Sequence, residues 1–293
     1  VPALVLLVGM CFVPETPRWL LSKGRLKECR KVLQKIEPEN TVNDLIGQME
    51  VEIEKDRNSA VGWRYLMQPW LRTPLMIAVC IMFFQQFVGI NTVIYYSPKI
   101  FLMAGFESTL SAIWASVGIG IVNVVFTVIS LYLVDRIGRR KLYFIGLSGI
   151  AFSVLCLSAC FIYANQLGEI GRWLMVVFMF GYVAFFAISI GPLGWLVISE
   201  IFPQKVRGLG TSIGSLAVWI FNCIVSFTFF KIIDFFSIPG TEIVVGQTTS
   251  ENPAGAFFLY GFIAVLGLVW GYLFLPETKG LSLEEIEQKW RKN

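Results

Sequence analysis

Three side-chain amides lie close together in an otherwise apolar stretch of the chain. Gln85, Gln86 and Asn91 fall between Arg72 and Lys99, and no charged residue lies between these two. Because an unpaired polar group in hydrocarbon costs several kcal/mol, the amides must bond other helices or line a wet cavity. An amide offers both donors and an acceptor, which suits the hydroxyl groups of a sugar. Bonding between helices is the alternative, and the residues alone favour neither.

The spacing of the amides decides which helix faces they occupy. On a regular helix Gln85 and Gln86 are about 100° apart, and Asn91 lies about 120° from Gln85. Gly89 can loosen the helix and bring all three amides toward one cavity. We therefore expect a polar cavity where this stretch meets its neighbours.

Other polar and aromatic residues are candidates for the same cavity. Asn123 lies in the middle of a glycine-containing stretch, and Trp219 and Asn222 share one helix face. Trp195 follows the run Gly-Pro-Leu-Gly at 191–194, which weakens helical hydrogen bonding and favours a broken helix beside a cavity. A tryptophan there can stack on the apolar face of a pyranose and donate its indole N–H. An aromatic anchor at a membrane interface is the alternative for Trp195.

A second group of candidate residues carries charge. These residues stand at the ends of apolar stretches and are Glu15, Arg18, Asp135, Arg139, Arg140, Glu200 and Arg207. Ion pairs among such residues have modest net energy, which is enough to bias a two-state equilibrium of a few kcal/mol. A purely topological role of the charges is the alternative.

Membrane helices must position these residues. With 56% hydrophobic and 15% charged residues, the chain is too apolar for an ordinary soluble protein. Six stretches without charge are each long enough to cross a hydrocarbon core of about 30 Å as a helix. We predict an all-α, polytopic membrane helix bundle with spans at roughly 73–97, 110–134, 142–163, 173–199, 209–233 and 255–275.

Basic residues orient the bundle. Segments 14–72, 135–141, 200–207 and 276–293 hold 21 of the 24 Lys and Arg residues, and the alternate segments hold the other three. The positive-inside rule places the first group of segments in the cytoplasm. The net charge of +4 therefore reflects topology, and we expect no nucleic-acid partner.

The order of apolar and charged segments predicts four regions. Residues 1–13 end a transmembrane helix, 14–72 form a cytoplasmic helical linker, 73–275 form the six-helix bundle, and 276–293 form a cytoplasmic tail. Within the linker, apolar residues three and four apart predict two or three short amphipathic helices, with a break at Pro38. The linker is either a solvated connection or a part of the gating apparatus.

The triplet Pro-Glu-Thr occurs twice, at 14–16 and at 276–278. Each copy follows an apolar stretch on the cytoplasmic side, which predicts two homologous halves. We therefore interpret the chain as the C-terminal half of a duplicated bundle. Its expected partner is a missing N-terminal six-helix half.

Seven motifs along the whole chain resemble those of the sugar porters of the major facilitator superfamily. They are Pro-Glu-Thr-Pro-Arg-Trp-Leu (14–20), Gln-Gln-Phe-Val-Gly-Ile-Asn (85–91), Tyr-Tyr-Ser-Pro (95–98), Asp-Arg-Ile-Gly-Arg-Arg (135–140), Gly-Pro-Leu-Gly-Trp (191–195), Glu-Ile-Phe-Pro with Arg-Gly (200–208) and Pro-Glu-Thr-Lys-Gly (276–280). The family includes animal glucose facilitators and bacterial pentose and hexose proton symporters. Each motif is weak alone, but their order makes the resemblance specific.

The resemblance implies a role for each candidate residue. Four positions match the family's sugar-contacting amides: Gln85, Gln86, Asn91 and Asn123. The other expected substrate-binding residues are Trp195, Trp219, Asn222 and Phe186, and the expected outer gate is Tyr95 and Tyr96. The seven charged residues would form the cytoplasmic charge network that locks the inner face.

Two positions depart from the family's pattern. Val218 stands where many relatives carry Asn or Gln, and Ala187 stands where glucose facilitators often carry Glu. Each change removes a hydrogen-bonding group from the cavity region. A smaller or less hydroxylated sugar therefore enters the range of substrates.

The resemblance implies a multi-pass protein of the cell membrane that transports a hexose or pentose by alternating access. Proton symport is the first expectation, and facilitated diffusion or polyol transport are the alternatives. Asp234 is the one carboxylate within the predicted spans, and family symporters carry their coupling carboxylate in the first helix. The expected partners are therefore the monosaccharide, protons and the lipid bilayer.

Two other classes of protein fit the sequence less well. The chain has no His, its six Cys are scattered, and no nucleophile motif is present, so we expect neither an enzyme nor a bound cofactor or metal. A non-transporting sugar sensor of the same fold would have a long signalling tail. The short predicted tail at 276–293 disfavours that role.

Overall fold

The structure, a computed structural model, describes residues 2–58, 63–106, 108–203, 206–236, 243–245, 248–280, 285 and 290. The chain divides into two units, residues 1–62 and residues 63–293. Each unit is built around its own helices.

The first unit contains four helices. They are α1 (Pro2–Phe12), α2 (Pro17–Ser22), α3 (Leu26–Leu33) and α4 (Glu39–Asn58). Thr16 begins α2, since its hydroxyl accepts a hydrogen bond from the Trp19 N–H at 3.4 Å. The apolar stripe of α3 packs on α2 and α4 through a small core: Leu20, Leu21, Cys29, Leu33, Val42 and Ile46. Short amphipathic helices therefore occupy the predicted linker, and α4 begins directly after Pro38.

The second unit contains nine helices and one short hairpin within its described residues. The helices are α5 (Trp63–Leu66), α6 (Pro69–Phe87), α7 (Ile90–Met103), α8 (Thr109–Ile137), α9 (Arg139–Ile162), α10 (Ala164–Ile188), α11 (Ile190–Ile201), α12 (Arg207–Phe235) and α13 (Ala254–Phe274). Strands β1 (Ile243–Val245) and β2 (Thr248–Ser250) pair antiparallel between α12 and α13.

Six segments of this unit are long and apolar enough to cross a membrane, as predicted. Four are single helices, whereas α6 with α7 and α10 with α11 form two spans that are broken in the middle. Most helices extend a few residues beyond the charge-free stretches. The first span begins at Pro69, inside the segment predicted as linker, because backbone hydrogen bonding continues where the hydrocarbon ends.

Small residues allow α9 to pack closely between α10 and α13. The Tyr143 ring lies against Gly271, where a Cβ atom would overlap it, and the Tyr143 hydroxyl donates to the Gly267 carbonyl at 2.9 Å. Large apolar side chains such as Trp114 and Val124 of α8 instead lie on the outside. An apolar exterior around glycine-lined helix contacts is the arrangement expected in lipid.

Candidate functional site

A cavity of about 360 Å³ lies among α6, α7, α8, α10 and α11. This volume is in the range of small-molecule sites. Its wall consists of Gln85, Gln86, Ile90, Asn91, Ile94, Asn123, Thr127, Phe186, Ala187, Gly191, Pro192 and Trp195. Six of the residues expected to bind substrate thus come together around one space.

The break between α6 and α7 places Asn91 beside the other amides. Gly89 has a φ of 87°, a left-handed conformation that side chains other than glycine rarely adopt, and a Cβ atom there would overlap the Tyr260 ring. The Tyr182 hydroxyl donates to the Val88 carbonyl at 2.8 Å. This bond partners a backbone group near the break that membrane lipid could not partner.

The break between α10 and α11 lies at Ser189, where φ is −122° and ψ is −103°. The Ser189 hydroxyl donates to the Phe185 carbonyl at 2.6 Å, and Gly146 of α9 leaves the space that this side chain fills. Pro192 falls in the first turn of α11, where an N–H would have no helical partner. The break thus precedes the Gly-Pro-Leu-Gly run and brings Trp195 to the cavity wall.

The amides of α6 and α7 form one chain of hydrogen bonds. The Asn91 Nδ2 donates to Gln86 Oε1 at 2.6 Å, and the Gln86 Nε2 donates to Gln85 Oε1 at 3.2 Å. The Gln85 Nε2 in turn donates to the carbonyls of Ile190 at 3.0 Å and Gly191 at 2.7 Å. The chain of amides therefore links the two broken spans.

The opposite polar group of the cavity belongs to α8. Thr127 lies one turn after Asn123 and its hydroxyl donates to Asn123 Oδ1 at 3.2 Å. Phe186 and Ala187 add apolar wall, and the indole of Trp195 is 42% exposed. Amides at one side and aromatic rings at another can bind a ligand that has both hydroxyl groups and an apolar face.

Four of the expected site residues do not line this cavity. Asn222 is buried, and its Nδ2 lies 3.4 Å from the Tyr95 hydroxyl, while its Oδ1 accepts from Ser226 at 3.0 Å. Tyr96 stacks on the Phe229 ring. The fourth, Trp219, is 66% exposed on the outer surface of α12. These residues fasten α7 to α12 or face outward.

Sequence reasoning did not select Thr127, Ile90 or Ile94 as site residues. The signal available was helical spacing, because Thr127 lies four residues after Asn123, and Ile90 and Ile94 lie four and eight after Gln86. That spacing applies to both faces of an unbroken helix, so the cavity face could be recognised only from the fold.

Arg139 is the centre of the charged group. Its Nη2 lies 2.9 Å from Glu200 Oε1, and its Nη1 lies 3.2 Å from Asp135 Oδ1. The Arg140 Nη2 donates to the Tyr272 carbonyl at 2.8 Å. Four of the predicted network residues are thus joined or adjacent at the ends of α8, α9 and α11.

The second Pro-Glu-Thr triplet also takes part in this group. Glu277 accepts hydrogen bonds from the backbone N–H groups of Arg139 and Arg140 at 3.1 and 3.2 Å, which satisfies the start of α9. The Thr278 hydroxyl donates to Glu200 Oε2 at 2.6 Å. The repeated triplet was the signal in the sequence, but the predicted network did not include its second copy.

The other predicted network residues are placed differently. Two nitrogens of Arg207, Nε and Nη2, are buried without a hydrogen-bond partner among the described residues. Glu15 and Arg18 belong to the first unit. Their pairing with the charges of the second unit stays a prediction.

Six apolar spans, two of them broken around a polar cavity, define a polytopic membrane transporter bundle. The chain matches the family model of sugar (and other) transporters over residues 1–290, and it belongs to this family. It is a multi-pass membrane protein with the major facilitator fold, and it is not an enzyme.

Relatives of known or inferred activity are similar to the chain over its whole length. The D-xylose-proton symporter of Escherichia coli K12 is 34% identical over 99% of this chain, and the glucose transporter GlcP of Staphylococcus epidermidis is 36% identical over 99% of it. Probable polyol transporter 3 of Arabidopsis thaliana is 34% identical over 98% of it. The matches cover 55%, 60% and 58% of those proteins, so the chain spans little more than half their length.

A solved structure has the same fold. The proton:xylose symporter XylE bound to 6-bromo-6-deoxy-D-glucose matches with a TM-score of 0.73 and 34% identity. The match covers 99% of this chain and 57% of that one. The sequence resemblance to the sugar porters is therefore confirmed, and the chain corresponds to one half of such a transporter.

Proposed function

We propose that the protein containing this chain carries a monosaccharide across the membrane by alternating access, in symport with protons. The cavity at the two helix breaks is its sugar site. The observation that carries the proposal is the chain of amides facing an indole within one cavity of about 360 Å³. This combination suits a pyranose, and the relatives named for xylose and glucose support it.

The roles of the cavity residues follow from their chemistry. The amides of Gln86, Asn91 and Asn123 exchange hydrogen bonds with hydroxyl groups, and the Trp195 indole stacks on the sugar ring. Phe186 closes the apolar side. The N-terminal half that the chain lacks relative to its relatives would supply the other wall and, in a symporter, the titrating carboxylate.

The remaining predicted residues would serve the conformational change. Tyr95 and Tyr96 follow the break at Gly89, so α7 can move as an outer gate against α12. The group around Arg139 would hold the inner face closed. The two unpartnered nitrogens of Arg207 support this role, because a carboxylate from another part of the protein could pair with them.

Uptake by reconstituted protein tests the proposal. Liposomes carrying the full-length protein are given labelled glucose or xylose, with and without an inward proton gradient. Accumulation above equilibrium that a protonophore abolishes is expected for symport. Uptake that only equilibrates would indicate a uniporter, and absence of saturable uptake of either sugar would contradict the proposal.

Polyol transport is the second candidate. Ala187 provides an apolar wall where glucose facilitators often carry Glu, and a polyol transporter is among the relatives. A competition series of aldoses and an inositol against the labelled sugar separates the two. Stronger competition by the inositol than by any aldose would favour the polyol.

A further inference from the structure

Gln85 lies in the cavity wall, yet both hydrogens of its amide are already used. Its Nε2 donates to the carbonyls of Ile190 and Gly191, and the side chain is only 3% exposed. An amide nitrogen carries two hydrogens. The Gln85 nitrogen therefore has no donor left for a sugar. Gly194 permits this arrangement, because a Cβ atom there would lie 2.9 Å from that nitrogen.

The two backbone carbonyls also determine which way the Gln85 amide faces. Carbonyl oxygens only accept hydrogen bonds, so the nitrogen of Gln85 must face them and its oxygen must face Gln86. The Gln86 nitrogen then donates to that oxygen, and the Gln86 oxygen accepts from Asn91. Turning one amide over would set two oxygens or two N–H groups against each other. The orientation of all three amides thus follows from the break in the second span.

Asn91 is the free end of this chain of amides. Its nitrogen is bonded to Gln86, and its Oδ1 has no donor among the residues that the structure describes. Asn123 has the reverse arrangement, since its Oδ1 accepts from Thr127 and its nitrogen is left to donate. A ligand in the cavity therefore meets an acceptor at Asn91 and a donor at Asn123.

We propose that Gln85 is a positioning residue, which presents Asn91 to the sugar as a hydrogen-bond acceptor and does not itself bind the sugar. The site then selects a sugar with one hydroxyl that donates to Asn91 Oδ1 and another that accepts from Asn123 Nδ2. This inference rests on the proposed function, because it takes the cavity to be the sugar site.

Deoxy and fluoro analogues distinguish a donating hydroxyl from an accepting one. Fluorine accepts a hydrogen bond weakly and cannot donate one. Calorimetry on the solubilised full-length protein measures the affinity for the transported sugar and for each of its monodeoxy and monofluoro analogues. At the hydroxyl that meets Asn91, both analogues should bind about tenfold more weakly. At the hydroxyl that meets Asn123, the fluoro analogue should bind more tightly than the deoxy analogue.

Replacing Gln85 tests its role in this pattern. Gln85→Met keeps the volume but releases Gln86 and Asn91 from the backbone, so the distinction between deoxy and fluoro analogues should disappear. Tyr143→Phe is the matched control, because it removes another buried bond to a backbone carbonyl, between α9 and α13 and away from the cavity. The control should lose stability and keep the wild-type pattern.

Gln85→Glu supplies a second variant in case Gln85→Met does not fold. At neutral pH its carboxylate would be repelled by the two carbonyls, and affinity should fall about tenfold. At acid pH the protonated carboxyl can donate to a carbonyl and still accept from Gln86, so affinity should recover relative to wild type at the same pH. A purely structural role would not produce this recovery.

Two failures are distinguishable. If the wild-type protein binds no monosaccharide, the proposed function is wrong. If it binds sugar and the Gln85→Met variant keeps the wild-type pattern of analogues, or Gln85→Glu shows no recovery at acid pH, only the positioning role is overturned.

Discussion

At the scale of single residues, the cavity combines one indole with several amides. Hydrogen bonds to a sugar largely replace bonds to water, so each contributes modestly, whereas stacking also removes apolar surface from water. Trp195 is therefore expected to contribute as much affinity as any single amide. Its exposed indole on the cavity wall leaves its face open to a ring.

Trp195→Ala should weaken sugar binding by about 1–2 kcal/mol, because the stacking surface and the indole N–H are both lost. Trp195→Phe should retain part of the affinity, since a ring remains. Calorimetric titration with the transported sugar measures both. Trp173→Ala is the control, because Trp173 is exposed on α10 outside the cavity. Equal losses for Trp173→Ala and Trp195→Ala would contradict the assignment.

Thr127 acts on the sugar only through Asn123. Thr127→Val keeps the shape but removes the hydroxyl that orients the Asn123 amide, so affinity should fall about threefold to tenfold. Ser130→Ala is the control: it removes a hydroxyl bonded to the Thr127 carbonyl one turn further along α8, outside the cavity wall. Sugar affinity that is unchanged in Thr127→Val would show that Asn123 needs no such support.

At the scale of elements, two broken helices build the site. A continuous helix would place Asn91 about 120° around from Gln85, and the turn at Gly89 is what joins it to Gln86. The break at Ser189 similarly brings the backbone of Ile190 and Gly191 to Gln85. The glycines at the first break and beside the second are therefore functional as well as structural.

Gly89→Ala should destabilise the protein by about 2 kcal/mol or more and abolish sugar binding. The added methyl group favours neither the φ of 87° nor the position against the Tyr260 ring. Thermal unfolding and sugar titration measure the two effects. Gly120→Ala on α8 has open space around it and should leave both nearly unchanged. A Gly89→Ala variant with wild-type stability would refute the account of this break.

At the scale of the whole molecule, charged contacts tie together segments that are distant in sequence. Arg139 contacts Glu200 and follows Asp135, while Glu277 and Thr278 bond the start of α9 and Glu200. Arg139 and Glu200 are only 13% and 20% exposed, so screening by water and salt is weaker than at an open surface.

A double-mutant cycle on Arg139→Met and Glu200→Gln should give a coupling energy of about 1–2 kcal/mol, because the pair is partly buried. The free energy of unfolding of the four variants measures it. The matched pair is Arg172 and Glu169, which is also in contact, at 2.7 Å, but is more exposed. Its coupling should stay below about 0.5 kcal/mol. Similar coupling energies for the two pairs would contradict the proposed importance of the Arg139 group.

The sequence alone determined the membrane spans, their expected orientation and the family. The cost of charge in hydrocarbon depends on local composition, so the charge-free stretches could be read directly from the chain. The same cost singled out the amides in apolar stretches. Six of the eight expected substrate-binding residues line the cavity, since polar groups at that depth have few other places to go.

Only the tertiary structure decided which face of each span meets the cavity. Trp219 shares a helix with Asn222 but lies on the outside, whereas Thr127 is brought into the wall. The second Pro-Glu-Thr triplet acquired a role because the end of the chain returns to the start of α9. Side-chain direction depends on where helices break and which neighbours they meet. Those contacts join residues a hundred or more positions apart, such as Gln85 and Gly191, and local composition does not encode them.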